Sequence, residues 1–217
     1  MPRSDTAHPR PVWYFSEYAP VGIDLGSKAA VAAYDRNQGT DPQADDTLLD
    51  RLGVSDGTQL VDLACGTGSL AVQAARRGAV AHGVDVSEEM LAFAKARADR
   101  FGVAPQWHHA GFLDYTHQGP LADAVTTKSA LHQLPDFWKQ QALLNAAGML
   151  RPGGSFYLWD VSPAGTGVSR GEPDRAATDD RDVVVGGCGC RHGVSLRRSS
   201  VSPAGDLGEG AVEGGRQ

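Results

Sequence analysis

The stretch Val61-Asp62-Leu63-Ala64-Cys65-Gly66-Thr67-Gly68 constrains this chain more than any other. An apolar run ends there in a turn of small residues, and residues 69–77 follow at once with Leu70, Val72, Ala74 and Ala75 at helical spacing. Small residues in such a turn let a backbone approach a bound molecule closely, and the helix behind it presents unpaired amides to the same place. A strand that feeds a helix through a glycine turn is the opening unit of a parallel sheet with crossover helices. The turn therefore predicts an α/β fold and, beyond the strand, a nucleotide or cofactor site.

The rest of residues 58–161 repeats that alternation. Strands are expected at 59–64, 80–84, 106–109, 122–128 and 155–161. Between them, Gly78 stops the first helix, Ser87 caps a second that begins with Glu88 and Glu89 and ends near Gly102, and Asp136 opens a third through Met149. Arg151-Pro152-Gly153-Gly154 reads as the turn before the fifth strand. Upstream, 27–36 and 45–52 have the pattern of helices that cover the site, preceded by the aromatic residues Trp13, Tyr14, Phe15 and Tyr18.

Asp85 ends the second strand, where a carboxylate can accept both hydroxyls of a ribose. As a simple helix-cap neighbour of Ser87 it would have no such role. Taken together, 61–68 resembles the first motif of the class I S-adenosylmethionine-dependent methyltransferases, and Gly83-Val84-Asp85-Val86-Ser87 resembles their second. Asp123-Ala124-Val125, Ala130-Leu131-His132-Gln133-Leu134 and Leu150-Arg151-Pro152-Gly153-Gly154 are similar to later segments of the small-molecule and quinone-type branch. A nicotinamide oxidoreductase shares the glycine turn and the ribose carboxylate but has no reason to carry the Arg-Pro-Gly-Gly turn.

The resemblance implies a Rossmann-like, doubly wound parallel sheet and S-adenosyl-L-methionine as cofactor. On matching residues it implies that Asp62 orients the methionine amino group, that Ala64, Gly66 and Gly68 line the methionine and ribose portion, and that Asp85 holds the ribose. Val86 and Met90 would flank the adenine. At the adenine edge, Gly111 is followed by Phe112 where many relatives have an acidic residue, leaving the Phe112 amide to serve and Asp114 as a distant substitute. Ala64 stands where glycine is more usual.

Transfer from a sulfonium needs mainly proximity and alignment, because the methyl is already electrophilic. A hydroxyl or amine acceptor still has a proton to lose, and His132, just past the fourth strand, is the candidate general base. His108 and His109 are read as structural, Tyr14, Tyr18 and Tyr34 as packing or acceptor-pocket residues, and Lys128 and Ser129 as acting through their backbone.

With 217 residues and 41% hydrophobic content, one domain with a single sizeable core is expected. The net charge of −6 argues against nucleic acid or an anionic lipid surface as partner and suits a neutral or cationic small molecule. The absence of a membrane-length apolar run and of a signal-like N-terminus, together with three cysteines, points to the cytoplasm. Cys188-Gly189-Cys190 with His192 lacks a fourth ligand at zinc spacing, so no metal is expected.

Composition divides the chain into a cover (1–57), a cofactor-binding core (58–163) and a tail (164–217). After Val161 there is no Phe, Tyr, Trp, Ile or Met, and the tail is expected to be disordered. The final helix and antiparallel hairpin of the family are therefore expected to be missing, which would leave the sheet edge open after the fifth strand. A truncated or frameshifted relative that binds the cofactor weakly is the alternative reading. An NAD-dependent oxidoreductase is a more distant one.

Overall fold

The computed structural model describes residues 13–18, 26–38, 40–161, 184–188 and 191–197. Two helices, α1 (Lys28–Gln38) and α2 (Pro42–Arg51), precede the alternating units. Asp41 caps α2 by accepting the amides of Gln43 and Ala44. Then come β1 (Gln59–Leu63), α3 (Ser69–Arg76), β2 (Val80–Asp85), α4 (Glu88–Phe101), β3 (Gln106–His109), β4 (Ala122–Lys128), α5 (Asp136–Met149) and β5 (Leu150–Val161). Each boundary has a local cause. Ser87 Oγ accepts the Met90 amide at 3.2 Å to start α4, and Gly102, at φ 64°, ends it in the left-handed conformation.

The first five strands are parallel, in the order β3-β2-β1-β4-β5. Alternating side chains send Leu60, Ala81 and Ala124 into one core with Leu48, Leu49, Leu70 and Ala74 of α2 and α3. Val61, Leu63, Val84, Val125 and Phe156 enter the opposite core with Ala142, Ala146 and Met149 of α5. Burial on both faces is what gives these strands their nearly continuous apolar runs. Among the described residues, no helix is long and apolar enough to cross a membrane.

Two expectations are corrected. The Arg151–Gly154 segment does not stand apart from the fifth strand: β5 begins at Leu150, opposite Ala122, and resumes pairing at Ser155 opposite Ala124. The turn is thus a bulge within the strand, with Gly153 at φ 77° and Arg151 Nε bonded to Asp123 Oδ1 at 2.5 Å.

The second concerns the sheet edge. Strands β6 (Val184–Cys188) and β7 (Arg191–Arg197) form an antiparallel hairpin, and β7 pairs antiparallel with β5 from Ser155 opposite Arg197 to Val161 opposite Arg191. The full order is β3-β2-β1-β4-β5-β7-β6, so the hairpin is present and the edge of β5 is covered. The reason is main-chain chemistry. A 12-residue strand presents a row of amides and carbonyls that another strand can satisfy whatever its side chains. Residues 164–183, 189, 190 and 198–217 lie outside the described residues, and with them Cys190 and the rest of the tail reading.

Candidate functional site

Strand order reverses between β1 and β4, and the crevice beyond their carboxyl ends is where open α/β sheets hold ligands. Two clefts lie there, and Ala64 borders both. The larger, about 1370 Å³, is bordered by Tyr34, Asp45, Asp62, Gly66, Lys128 and Trp159 among others. The smaller, about 430 Å³, is bordered by Phe15, Glu17, Asp85, Val86, Gly111 and Phe112 among others.

The loops at this point are held in uncommon backbone conformations. Ala64 (φ 56°) and Ser129 (φ 52°) are left-handed without being glycine, a cost of about 1 kcal/mol or more each that tends to collect at functional sites. Ser129 is fixed there by its amide, which donates to the Trp159 carbonyl at 2.7 Å. Gly68, at φ 73°, opens α3 with no side-chain cap, and a Cβ on it would lie 2.6 Å from both Ala94 Cβ and Trp107 Cη2.

In the larger cleft Asp62 is buried at the end of β1 and accepts Thr126 Oγ1 at 2.7 Å. Burial pushes its carboxyl up to about 6, against the opposing pull of Lys128 and of the Thr126 hydrogen bond. Lys128 Nζ is 2.6 Å from Asp45 Oδ1, and Ser69 Oγ donates to the other oxygen of Asp45 at 2.6 Å. Lys128 thus borders the cleft with its ammonium held on Asp45, where sequence reading credited its backbone more than its side chain. The α1 cover is anchored to the turn through Asp35, which accepts Thr67 Oγ1 at 2.6 Å and binds Arg97 at 2.7 and 2.8 Å. Cys65 lies in the same turn, and burial pushes its thiol well above the ordinary range, so it stays protonated and unreactive.

In the smaller cleft Asp85 is buried at the end of β2, its oxygens accepting the amides of Gly66 at 2.8 Å and Ser87 at 2.9 Å. Burial raises its pKa and these amide bonds oppose the rise. Val86, Gly111 and Phe112 border the same cleft. Gly68 and Met90 border neither; Met90 is buried behind Ser87 in the first turn of α4.

The adenine-edge expectation needs correction. The Phe112 amide is not open: it donates to Glu17 Oε1 at 2.8 Å, and the Leu113 amide donates to Glu17 Oε2 at 2.8 Å. Asp114 turns back, accepting the Gly111 amide and the Tyr18 hydroxyl, both at 2.6 Å. A carboxylate reaching in from another segment outcompetes the loop's own, because it can satisfy two adjacent amides at once.

His132 sits on a single 3-10 turn, Leu131–Gln133; His132 itself borders neither cleft, but it lies in sequence between Ser129 of the larger and Gln133 of the smaller. Its Nδ1 is 2.6 Å from Asp160 Oδ1, and its amide donates to Asp160 Oδ2 at 2.7 Å. Its side chain remains 40% exposed, so the other ring nitrogen is not enclosed in the core. His108 stacks on His82, and His109 bonds the Val86 carbonyl at 2.9 Å; both serve structure at this point. Tyr34 borders the larger cleft, whereas Tyr14 bonds the Leu113 carbonyl and packs on Trp138.

Sequence reading overlooked three acidic residues here: Glu17, Asp45 and Asp160. Each carried a faint signal. Glu17 is the lone carboxylate in an aromatic run, Asp45 is an acid in the first turn of a covering helix, and Asp160 interrupts the apolar end of β5 at the ligand-facing end of the sheet.

Residues 60–154 match the family model described as a methyltransferase domain. The ubiquinone biosynthesis O-methyltransferase of Aeromonas salmonicida is 32% identical over 118 residues, which cover 54% of this chain and 49% of that protein. The 27-O-demethylrifamycin SV methyltransferase of Amycolatopsis mediterranei is 31% identical over 143 residues, covering 61% and 52%. The chain spans about half the length of these curated relatives. Among solved structures, magnesium protoporphyrin IX methyltransferase from Synechocystis, with bound SAM, has a TM-score of 0.55 at 18% identity, covering 84% of this chain and 88% of that one. That likeness bears on the fold, and it agrees with the parallel sheet observed here. The likeness to methyltransferases is thus carried by residues 60–154, from β1 to the start of β5.

Proposed function

We propose that the protein binds S-adenosyl-L-methionine across the two clefts and transfers its methyl group to a small-molecule acceptor. The observation that carries this reading is the distribution of charge on either side of Ala64. The larger cleft offers Asp62 for an ammonium and Lys128 for a carboxylate, which suits an amino-acid zwitterion. The smaller offers Asp85 for vicinal hydroxyls and the apolar Val86 and Phe112 for a flat base. Gly66 leaves space between them, since nothing lies within 4 Å of where its Cβ would be. These residues fit the cofactor.

When bound, S-adenosyl-L-methionine supplies an electrophilic sulfonium methyl. The chain's own residues have simpler tasks. Asp62 and Asp85 hold and orient, Ala64 allows passage between the clefts, and the covering helix α1 limits water. His132, oriented by Asp160, accepts the proton from a hydroxyl or amine acceptor. The net charge of −6 supports a small acceptor over nucleic acid, and the composition supports a cytoplasmic setting.

Incubation with methyl-labelled cofactor and a panel of phenolic, quinone and amine acceptors tests the proposal. Label should pass to at least one small acceptor. Cofactor binding with no transfer to any class would instead favour a non-catalytic relative.

A further inference from the structure

We propose that Glu17 is the residue that selects an amino-purine cofactor, a role that rests on the cofactor reading above. Its carboxylate arrives from 95 residues away and is fixed by the Phe112 and Leu113 amides at 2.8 Å each. It also lies against the Cα of Gly111, where any Cβ would overlap its oxygens. Two independent features thus seat it: a pair of main-chain donors and a glycine that leaves room. Along the smaller cleft the carboxylates among the described residues are Asp85 and Glu17. They belong to the ends of the neighbouring strands β2 and β3, Asp85 directly and Glu17 through the loop that follows His109.

The chemistry follows from this arrangement. An ionised carboxylate only accepts hydrogen bonds, at roughly four lone-pair positions. Once Asp85 takes the ribose hydroxyls, a base lying against Val86 and Phe112 presents its far edge toward Glu17. An exocyclic amino group there donates to the carboxylate. A carbonyl at the same position sets oxygen against oxygen and is rejected. Hydrogen bonds to charged groups are strong enough for the discrimination to reach about 10–100-fold at this half-buried position.

Calorimetry on the full chain with S-adenosylhomocysteine and its deaminated counterpart, S-inosylhomocysteine, tests this. The wild type should bind the amino form about tenfold or more tightly. In Glu17→Gln, whose amide can also donate, the preference should shrink to about twofold or invert. Tryptophan fluorescence, reporting the packing of Trp13 on Trp138, checks that the cover stays docked. A wild-type preference below twofold overturns the proposal without any variant. So does an unchanged preference in Glu17→Gln, or tighter S-adenosylhomocysteine binding by Glu17→Ala, which would make Glu17 a plug that the base must displace. A wild type that binds neither ligand overturns the cofactor reading itself, whereas the other outcomes leave that reading standing.

Discussion

Asp160 holds His132 by two bonds at once, one to the ring at Nδ1 (2.6 Å) and one to the backbone amide (2.7 Å). The pair joins the end of β5 to the 3-10 turn after β4, fixing which ring nitrogen is engaged and leaving the other for an acceptor. His132→Asn should lower kcat by about 10²–10⁴-fold if the acceptor attacks through oxygen or nitrogen. Asp160→Asn, which acts through His132, should lower kcat by about 10-fold or more with KM and cofactor affinity nearly unchanged. Steady-state kinetics on the acceptor found by label transfer checks both. Equal losses in cofactor affinity would mean that the pair only supports the fold.

Ala64 borders both clefts and already sits at φ 56°. Ala64→Gly relieves the left-handed backbone and should raise stability by about 1 kcal/mol, less what the added chain freedom removes. Ala64→Val adds bulk and a β-branched side chain at positive φ, and should abolish cofactor binding while lowering the melting temperature. Thermal melts with and without S-adenosylhomocysteine separate the effects. A Val variant that still binds places the cofactor elsewhere.

Asp62 carries its proton up to a pH of about 6, against an ordinary value of 3.8, chiefly because it is buried. The folded state therefore holds an extra proton between these values, and Asp62's contribution to stability falls as pH rises through that window. An ammonium placed beside it reverses the penalty of ionisation. S-adenosylhomocysteine binding near pH 6 should accordingly release a proton, and affinity should increase from pH 5 to 7. Calorimetry in two buffers of different ionisation enthalpy measures the release directly. No release at pH 6 would mean that Asp62 does not face the ammonium.

On the other side of β2, His82 and His108 stack with ring nitrogens 3.1 Å apart, and His117 meets His82 edge-on. Burial, then the neighbouring His117 and His108, push His82 down to about 4. Below pH 6.5 the unfolded chain takes up a proton that the folded one refuses, so this stability is complete above 6.5 and is lost as pH falls toward 4. The loss should be on the order of 1–2 kcal/mol. His82→Leu should show a flatter fall in melting temperature over that range than the wild type. Parallel profiles would remove His82 as the cause.

Much of the sheet could be read directly because its central strands are buried on both faces, and β4 and α5 have the limits their apolar patterns indicate. Asp62 and Asp85 were legible because they lie inside the strands that position them. The hairpin was not, since short valine-bearing pieces flanked by glycine pair through main-chain groups that leave no side-chain period. Glu17 and Asp160 escaped for a different reason. Their partners lie 95 and 28 residues away, and no local pattern records a contact made only when the chain closes on itself.

In the proposed reading, the crevice at Ala64 holds S-adenosylmethionine with Asp85 on its ribose. Calorimetric titration of the full chain with S-adenosylhomocysteine and with NAD, repeated on Asp85→Ala, tests it most directly. S-adenosylhomocysteine should bind the wild type, NAD should not compete, and the variant should bind at least about tenfold more weakly. Tight NAD binding without S-adenosylhomocysteine binding, or affinity indifferent to Asp85, would contradict it.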